Sequence, residues 1–306
     1  MKKNKRRPQS EGVKMKHLYL ADSDKELLVM LHDFVYLDLA FIMEYIFKER
    51  FSSQQAARAR MKTLADAGYI KMFKGVALPD TTQPGLVYTL TSTGVAMVEE
   101  LQGYSNFRAI WTKELAVWYR HTLQIARVVK KFMEESPKFG LQVKDYISES
   151  RAFYQYGANK SEVIRPDGFM VIGGSESDEN FGIFLEMERS ISKKHVIQSK
   201  IERYQEFLEY PAAKEKYLYK TGAEAEATEW LVLFIGNDDR STIRVMKIMA
   251  KIKPKPGEQP SIQRPDINIP VLLGSTNDIM KNPVGANYHH MYRDDYETKD
   301  MIYVEG

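Results

Sequence analysis

Three acids and one base in the middle of this chain have types and spacing that could do chemistry. Asp167 sits in a Pro-Asp-Gly step, Glu186 and Glu188 stand two apart at the end of an apolar run, and Lys200 follows in a basic segment. Side chains alternate along a strand with a period of two, so Glu186 and Glu188 share one face while Leu185 and Met187 take the other. If the runs at 169–172 and 181–185 pair in register, Asp167 reaches the face of the glutamates. Three carboxylates at one end of a small sheet repel one another, and a cation relieves the repulsion. A hard divalent ion, Mg²⁺ or Mn²⁺, suits oxygen donors, with Asp167 and Glu186 as its ligands. The alternative reading of the same residues is a hydrated pair of glutamates at a strand end.

The elements that must position these residues are legible around them. Two apolar, β-rich runs flank a loop of Gly, Ser, Asp, Glu and Asn at 173–180, which is a hairpin signal. A helix is expected over 190–208, with Val196, Ile197, Ile201, Tyr204 and Leu208 on its inner face. Lys193, Lys194, Lys200 and Arg203 are expected on the other face. Pro166-Asp167, Glu186-x-Glu188 and the basic helix with Lys200 and Tyr204 together resemble the core of the PD-(D/E)xK nucleases. Behind the N-terminal winged helix described below, this block resembles the bacterial plasmid replication-relaxation family. The resemblance implies a nuclease-like domain. It departs from the nuclease motif at position 188, where glutamate stands in place of lysine, and Lys200 on the helix is the candidate substitute. The resemblance also points to His121, next to an apolar stripe on a helix expected over 114–135, as a neighbour of the core. A lone histidine on such a helix is more often a structural residue.

At 306 residues the chain suits two domains, each able to bury a core. The absence of cysteine excludes disulfides, cysteine zinc sites and a thiol nucleophile. No apolar run approaches the ~20 residues that span a bilayer. The segment MKKNKRRPQS is charged with no apolar stretch after it, unlike a secretory signal, so a cytoplasmic protein without a membrane partner is expected. Net charge is only +3, but 1–20 carry seven Lys and Arg residues against Glu11 alone. This basic arm is expected to be disordered, and either to lie on phosphates, where released counterions drive binding, or to serve as a solubilising leader.

The region 21–102 has the pattern of a DNA-binding winged helix. Ser23 and Glu26 have capping-box spacing at the start of a first helix. A second helix is expected over 37–47, and a third from Ser52 or Ser53 to Ala67, stopped by Gly68. On the third helix Ala57, Met61 and Leu64 should face the core, with Gln55, Arg58 and Lys62 opposite. Strands at 69–73 and 86–90 around a Pro/Gly-rich loop, then a helix to about 101, complete the pattern, which closely resembles a winged helix. Base readout would fall to Gln55 and Arg58, and backbone anchoring to Arg60, Lys62, Lys71 and the arm.

A linker at 103–113 separates this domain from an α/β domain over 114–286, with further strands at 141–156, 230–235 and 269–273 and a helix at 241–251. Asp145 and Glu149 are expected to be solvated rather than part of the acidic cluster, and 287–306 to be a polar, peripheral tail. The expected fold class is thus an α+β winged helix-turn-helix followed by an α/β PD-(D/E)xK nuclease-like domain. No phosphate loop, dinucleotide fingerprint, H-E-x-x-H or G-x-S-x-G motif occurs. The leading expectation is a protein of plasmid or mobile-element replication, mobilisation or their regulation that binds double-stranded DNA. It would act as a homodimer, with replication or mobilisation proteins as further partners. The alternatives are a Mg²⁺-dependent endonuclease, in which Glu188 or Lys200 positions the attacking water, and a non-catalytic protein-interaction scaffold.

Overall fold

Leu27, Leu28, Leu31 and Phe34 form one stripe of α1 (Asp22–Phe34), and all four are buried. In the computed structural model, which describes residues 18–76, 85–188, 193–250, 269–285, 287–291 and 298–301, the chain divides into two units between Ala116 and Val117. The expected arm, apart from residues 18–20, lies outside the described residues, as do 251–268 and most of the loop at 78–85.

The first unit continues with β1 (Leu37–Asp38), α2 (Leu39–Phe41) running into a π-helical turn (Ile42–Ile46), and α3 (Gln54–Asp66). Then come β2 (Ile70–Lys74), β3 (Leu86–Leu90), α4 (Ser92–Gln102) and the short α5 (Ile110–Lys113). The strands form an antiparallel sheet in the order β1-β3-β2, with Tyr88 between Leu37 and Met72. Ser53 caps α3, its hydroxyl accepting the Ala56 N–H at 3.2 Å. Thr91 caps α4, and Gly94 is required there because a Cβ would collide with the Tyr69 carbonyl oxygen.

Several expectations need correction. The N-cap of α1 is Ala21 rather than Ser23, and its N–H donates to the Asp24 carboxylate at 2.8 Å. Asp24 is fully buried because two arginines meet it: Arg60 Nη2 at 2.6 Å and Arg50 Nη1 at 2.8 Å. Burial by itself would raise the Asp24 carboxyl, but hydrogen bonds from Arg60 and Arg50 outweigh it and hold the group below its ordinary value. Arg60, expected on a DNA backbone, is therefore engaged in bracing α3 against α1. Lys71, expected in the same role, donates to the Thr112 and Lys113 carbonyls at 2.6 and 3.1 Å. Nor is 110–113 a free linker. Trp111 is buried, the Tyr36 hydroxyl donates to its carbonyl, and Thr112 Oγ1 donates to the Leu90 carbonyl at 2.7 Å.

The second unit opens with α6 (Tyr119–Glu135), which starts later than expected, so Leu115 and Trp118 precede the helix while Ile125, Val129 and Phe132 are buried on it. The expected strand at 141–156 is broken into β4 (Leu141–Ser148), α7 (Glu149–Ala152) and β5 (Tyr154–Gln155), the last paired with β6 (Val163–Ile164). The hairpin follows as β7 (Gly168–Gly174) and β8 (Asn180–Glu188), then α8 (Lys194–Leu208) and α9 (Pro211–Thr221). After them come β9 (Glu229–Gly236), α10 (Asp239–Met249), β10 (Val271–Ser275), α11 (Thr276–Lys281), β11 (Tyr288–His290) and β12 (Thr298–Lys299).

Seven of these strands form one mixed sheet in the order β12-β11-β10-β9-β8-β7-β4. The three central strands β8, β9 and β10 run parallel, joined by helical crossovers, and the flanking pairs are antiparallel. The expected tail at 287–306 is thus partly sheet: Tyr288, His290 and Met301 are buried. An aromatic cluster of Phe169, Phe184, Phe207, Tyr217 and Trp230 fills one face, with Phe169 and Trp230 stacked at 5.3 Å. Gly182 allows that stacking, since a Cβ there would press within 2.9 Å of both the Phe169 ring and Ala227. At the edge, β4 carries a bulge between Val143 and Asp145, and Lys144 reaches the Ser177 carbonyl at 2.5 Å.

Candidate functional site

The pairing of β7 with β8 sets the site. Gly168 lies opposite Leu185, so Asp167 falls just outside the ladder beside Glu186. Its N–H donates to the Leu185 carbonyl at 2.9 Å, and its Oδ2 accepts the Met187 N–H at 2.7 Å. Asp167 is held from both ends of its own residue, and this backbone clamp orients the carboxylate at the carboxyl end of the parallel strands. Open α/β sheets place their sites at that end.

On α8, Lys200 and Tyr204 are four residues apart and therefore share a face. Both turn towards β8. Lys200 Nζ lies 2.7 Å from Glu186 Oε2 and 2.6 Å from Glu188 Oε1. The Tyr204 hydroxyl donates to Glu186 Oε1 at 2.6 Å. The expectation that Lys200 lies on an outer basic face is overturned: hydrogen bonding to two buried carboxylates draws it inward. The Lys193 and Lys194 neighbours on the same helix are exposed, as is Val196, which was expected inside.

Electrostatics follow from burial and from the ratio of charges. Glu186 and Glu188 are buried. Burial pushes the Glu186 carboxyl up to about 7; Lys200 opposes the shift and the charge of Asp167 reinforces it. Burial opposes the charge of Lys200, but the two glutamates prevail and raise its proton affinity. The Tyr204 phenol is raised by burial and by the Glu186 charge it faces.

Two further residues complete the surroundings. His121 Nε2 on α6 is 2.7 Å from Asp167 Oδ1. Glu149, at the start of α7, is exposed as a residue, yet its carboxyl is raised first by desolvation and then by the charge of Asp167, with His121 opposing. Glu149 is exposed, in line with the expectation of a solvated residue, and stands close enough to Asp167 to feel its charge. The break between β4 and α7 brings it there, and no spacing in the sequence signals that break. Asp145 instead accepts the Glu224 N–H at 2.7 Å.

A divalent ion is a poor fit to this donor set. Both oxygens of Asp167 and both of Glu186 already accept short hydrogen bonds or ion pairs from Met187, His121, Tyr204 and Lys200. Among the described residues, no three His, Asp or Glu side chains are arranged to hold a metal.

In the first unit, α3 buries Ala57, Met61 and Leu64 and leaves Gln55, Arg58 and Lys62 exposed, as their spacing predicts. Among the described residues no helix is long and apolar enough to cross a membrane.

Comparison with known proteins places the chain. Among solved structures it is similar to restriction endonuclease FokI, at 13% identity and a TM-score of 0.27, covering 85% of this chain and 42% of that one. It is also similar to FokI bound to DNA, at 11% identity and a TM-score of 0.27, covering 84% and 43%. The chain spans less than half the length of these structures, and the likeness is too distant to carry an argument. No curated protein matches it. The family model described as Replication-relaxation matches residues 28–220, more than half of the sequence and a span that includes both α3 and the Asp167–Glu186–Lys200 cluster. The chain belongs to the replication-relaxation family.

Proposed function

We propose that this protein binds double-stranded DNA through its first unit and serves plasmid or mobile-element replication, mobilisation or their regulation. The observation that carries this reading is the exposed row Gln55, Arg58 and Lys62 on a helix whose other side is anchored in a core. The element order of the first unit, with α3 followed by the β2–β3 pair and closed by α4, supports a winged-helix reading. In that fold the third helix enters the major groove. Glutamine suits the edge of adenine, arginine that of guanine, and lysine a phosphate oxygen. Arg60 and Lys71 are left out of this interface because their charged ends are engaged within the unit.

The second unit fits a nuclease-like domain, with Asp167, Glu186 and the Lys200 helix in the order of the PD-(D/E)xK core. Its role in this reading is to engage DNA or a replication or mobilisation protein, with the chain acting as a homodimer. No cleavage step is derived, since the carboxylates do not fit the metal that such a step uses.

Fluorescence anisotropy with labelled duplexes tiling a plasmid origin, at several salt concentrations, tests the DNA reading. The variant Arg58→Ala/Lys62→Ala should bind roughly 10- to 100-fold more weakly, with a salt slope lower by about 1 per lost phosphate contact. Equal affinity of a folded variant and wild type would sink the proposed interface. Absence of binding by either would favour a protein-interaction scaffold.

A further inference from the structure

We infer that Lys200 is the resident cation of the buried carboxylate site: it occupies the place a divalent ion would need, so the wild-type chain takes up none there, whereas a chain lacking the lysine does. The inference concerns the second unit alone and stands apart from DNA binding by the first.

The geometry is that of a lysine closed in on three sides. Its ammonium bridges Glu186 Oε2 and Glu188 Oε1 at 2.7 and 2.6 Å and lies 6.0 Å from the centre of the Phe234 ring. Its side chain is 25% exposed, against 3% for each glutamate. A Mg²⁺ or Mn²⁺ ion takes about six oxygen ligands in a near-octahedral shell and gives up its waters reluctantly. Here the oxygen nearest the bridge on Glu186 is taken by Lys200 and the other by Tyr204, while Asp167 is held by Met187 and His121. An entering ion would have to displace the ammonium, and two like charges cannot share that pocket.

Charge explains why the position is filled. Two buried carboxylates side by side on one face of a strand are strongly unfavourable unless paired. One ammonium relieves most of the repulsion without a soluble cofactor. Removing it leaves two anionic groups, with Asp167 beside them, around a space emptied of an ammonium and its stem, which is a donor set for a hard cation.

The test is calorimetric titration of Mn²⁺ into wild type, Lys200→Ala, Lys200→Met and Lys200→Ala/Glu186→Gln, with thermal melting at zero and millimolar Mn²⁺ alongside. Expected are no saturable binding in wild type, one site in Lys200→Ala with at least a tenfold gain in affinity, and loss of that site in the double variant. Lys200→Met, which keeps the packing of the stem, serves if the alanine variant does not fold. Saturable binding of one Mn²⁺ by wild type that disappears in Glu186→Gln would overturn the inference. So would a folded lysine-free variant that binds no Mn²⁺. Neither outcome touches the anisotropy result, so the two readings fail independently.

Discussion

The two units each bury a cluster of opposite charges, and the clusters have inverse ratios. In the first, one carboxylate, Asp24, meets two guanidiniums, Arg50 and Arg60. In the second, two carboxylates, Glu186 and Glu188, share one ammonium. The surplus of cations holds Asp24 below its ordinary value, despite burial, whereas the surplus of anions leaves burial to raise Glu186. The arginines also keep partial access to water, with side chains 29% and 15% exposed. A structural brace is built with more than enough counter-charge. The second cluster stays one charge short, and such a deficit is where sites with chemical potential are found.

The sharpest way to break the comparison is to remove the minority partner of each cluster. Lys200→Ala leaves two buried acids side by side without their counter-charge, and a loss of roughly 3–5 kcal/mol is expected from stranding buried charge. Hydrogen exchange should report it as lost protection in β8 and α8. Protection within about 1 kcal/mol of wild type would mean that the acids find water, and the contrast would collapse. Asp24→Asn is expected to cost less, about 1–3 kcal/mol, because the partly accessible arginines can rehydrate. Protection in α1 and α3 measures it, and a loss larger than that of Lys200→Ala would reverse the ranking.

The smallest effect is the pH response, where the two clusters have opposite signs. Asp24 has a folded value below its unfolded one, so its contribution is present above the unfolded value and fades as pH falls through the folded one. Glu186 rises from an ordinary 4.5 to about 7, so the folded state holds its proton more tightly and loses stability as pH climbs through that window. Protection in β8 and α8, corrected for intrinsic exchange, should therefore decline from pH 5 to pH 8 and flatten in Glu186→Gln. Protection in α1 and α3 should decline only in acid. Parallel pH responses in the two units would show that the ratio of charges does not govern them.

Much of this contrast is legible in the sequence, but unevenly. The hairpin, the shared face of Glu186 and Glu188 and the proximity of Asp167 follow from the period of a strand and from turn chemistry. The apolar stripe of the helix at 190–208 puts Tyr204 inside, but the same pattern assigns Lys200 to the outer face and does not say that it turns inward beside Tyr204. That depends on the pull of buried carboxylates, which no local pattern encodes. The Asp24 cluster was hidden for a related reason. Ser23 and Glu26 have the spacing of a capping box, but Asp24 competes for the same helix start and prevails because Arg50 and Arg60, distant in sequence, meet it there. Likewise Tyr288–His290 reads as polar tail, since a three-residue strand is decided by the partner it finds in β10. The run at 141–156 reads as one strand because nothing in its local pattern signals the helical turn at Glu149–Ala152.

The bulge in β4 has a consequence beyond the fold of one chain. β4 ends the large sheet, and a straight strand in that position would offer another molecule a row of unpaired backbone groups. The register shift between Val143 and Asp145 interrupts that row, Lys144 ties back to Ser177, and the Asp145 carboxylate is fastened to the backbone of Glu224. Copies of this protein meeting edge to edge there would find charge and a broken ladder instead of a template. Among the described residues, that border is therefore a disfavoured place for two chains to pair edge to edge.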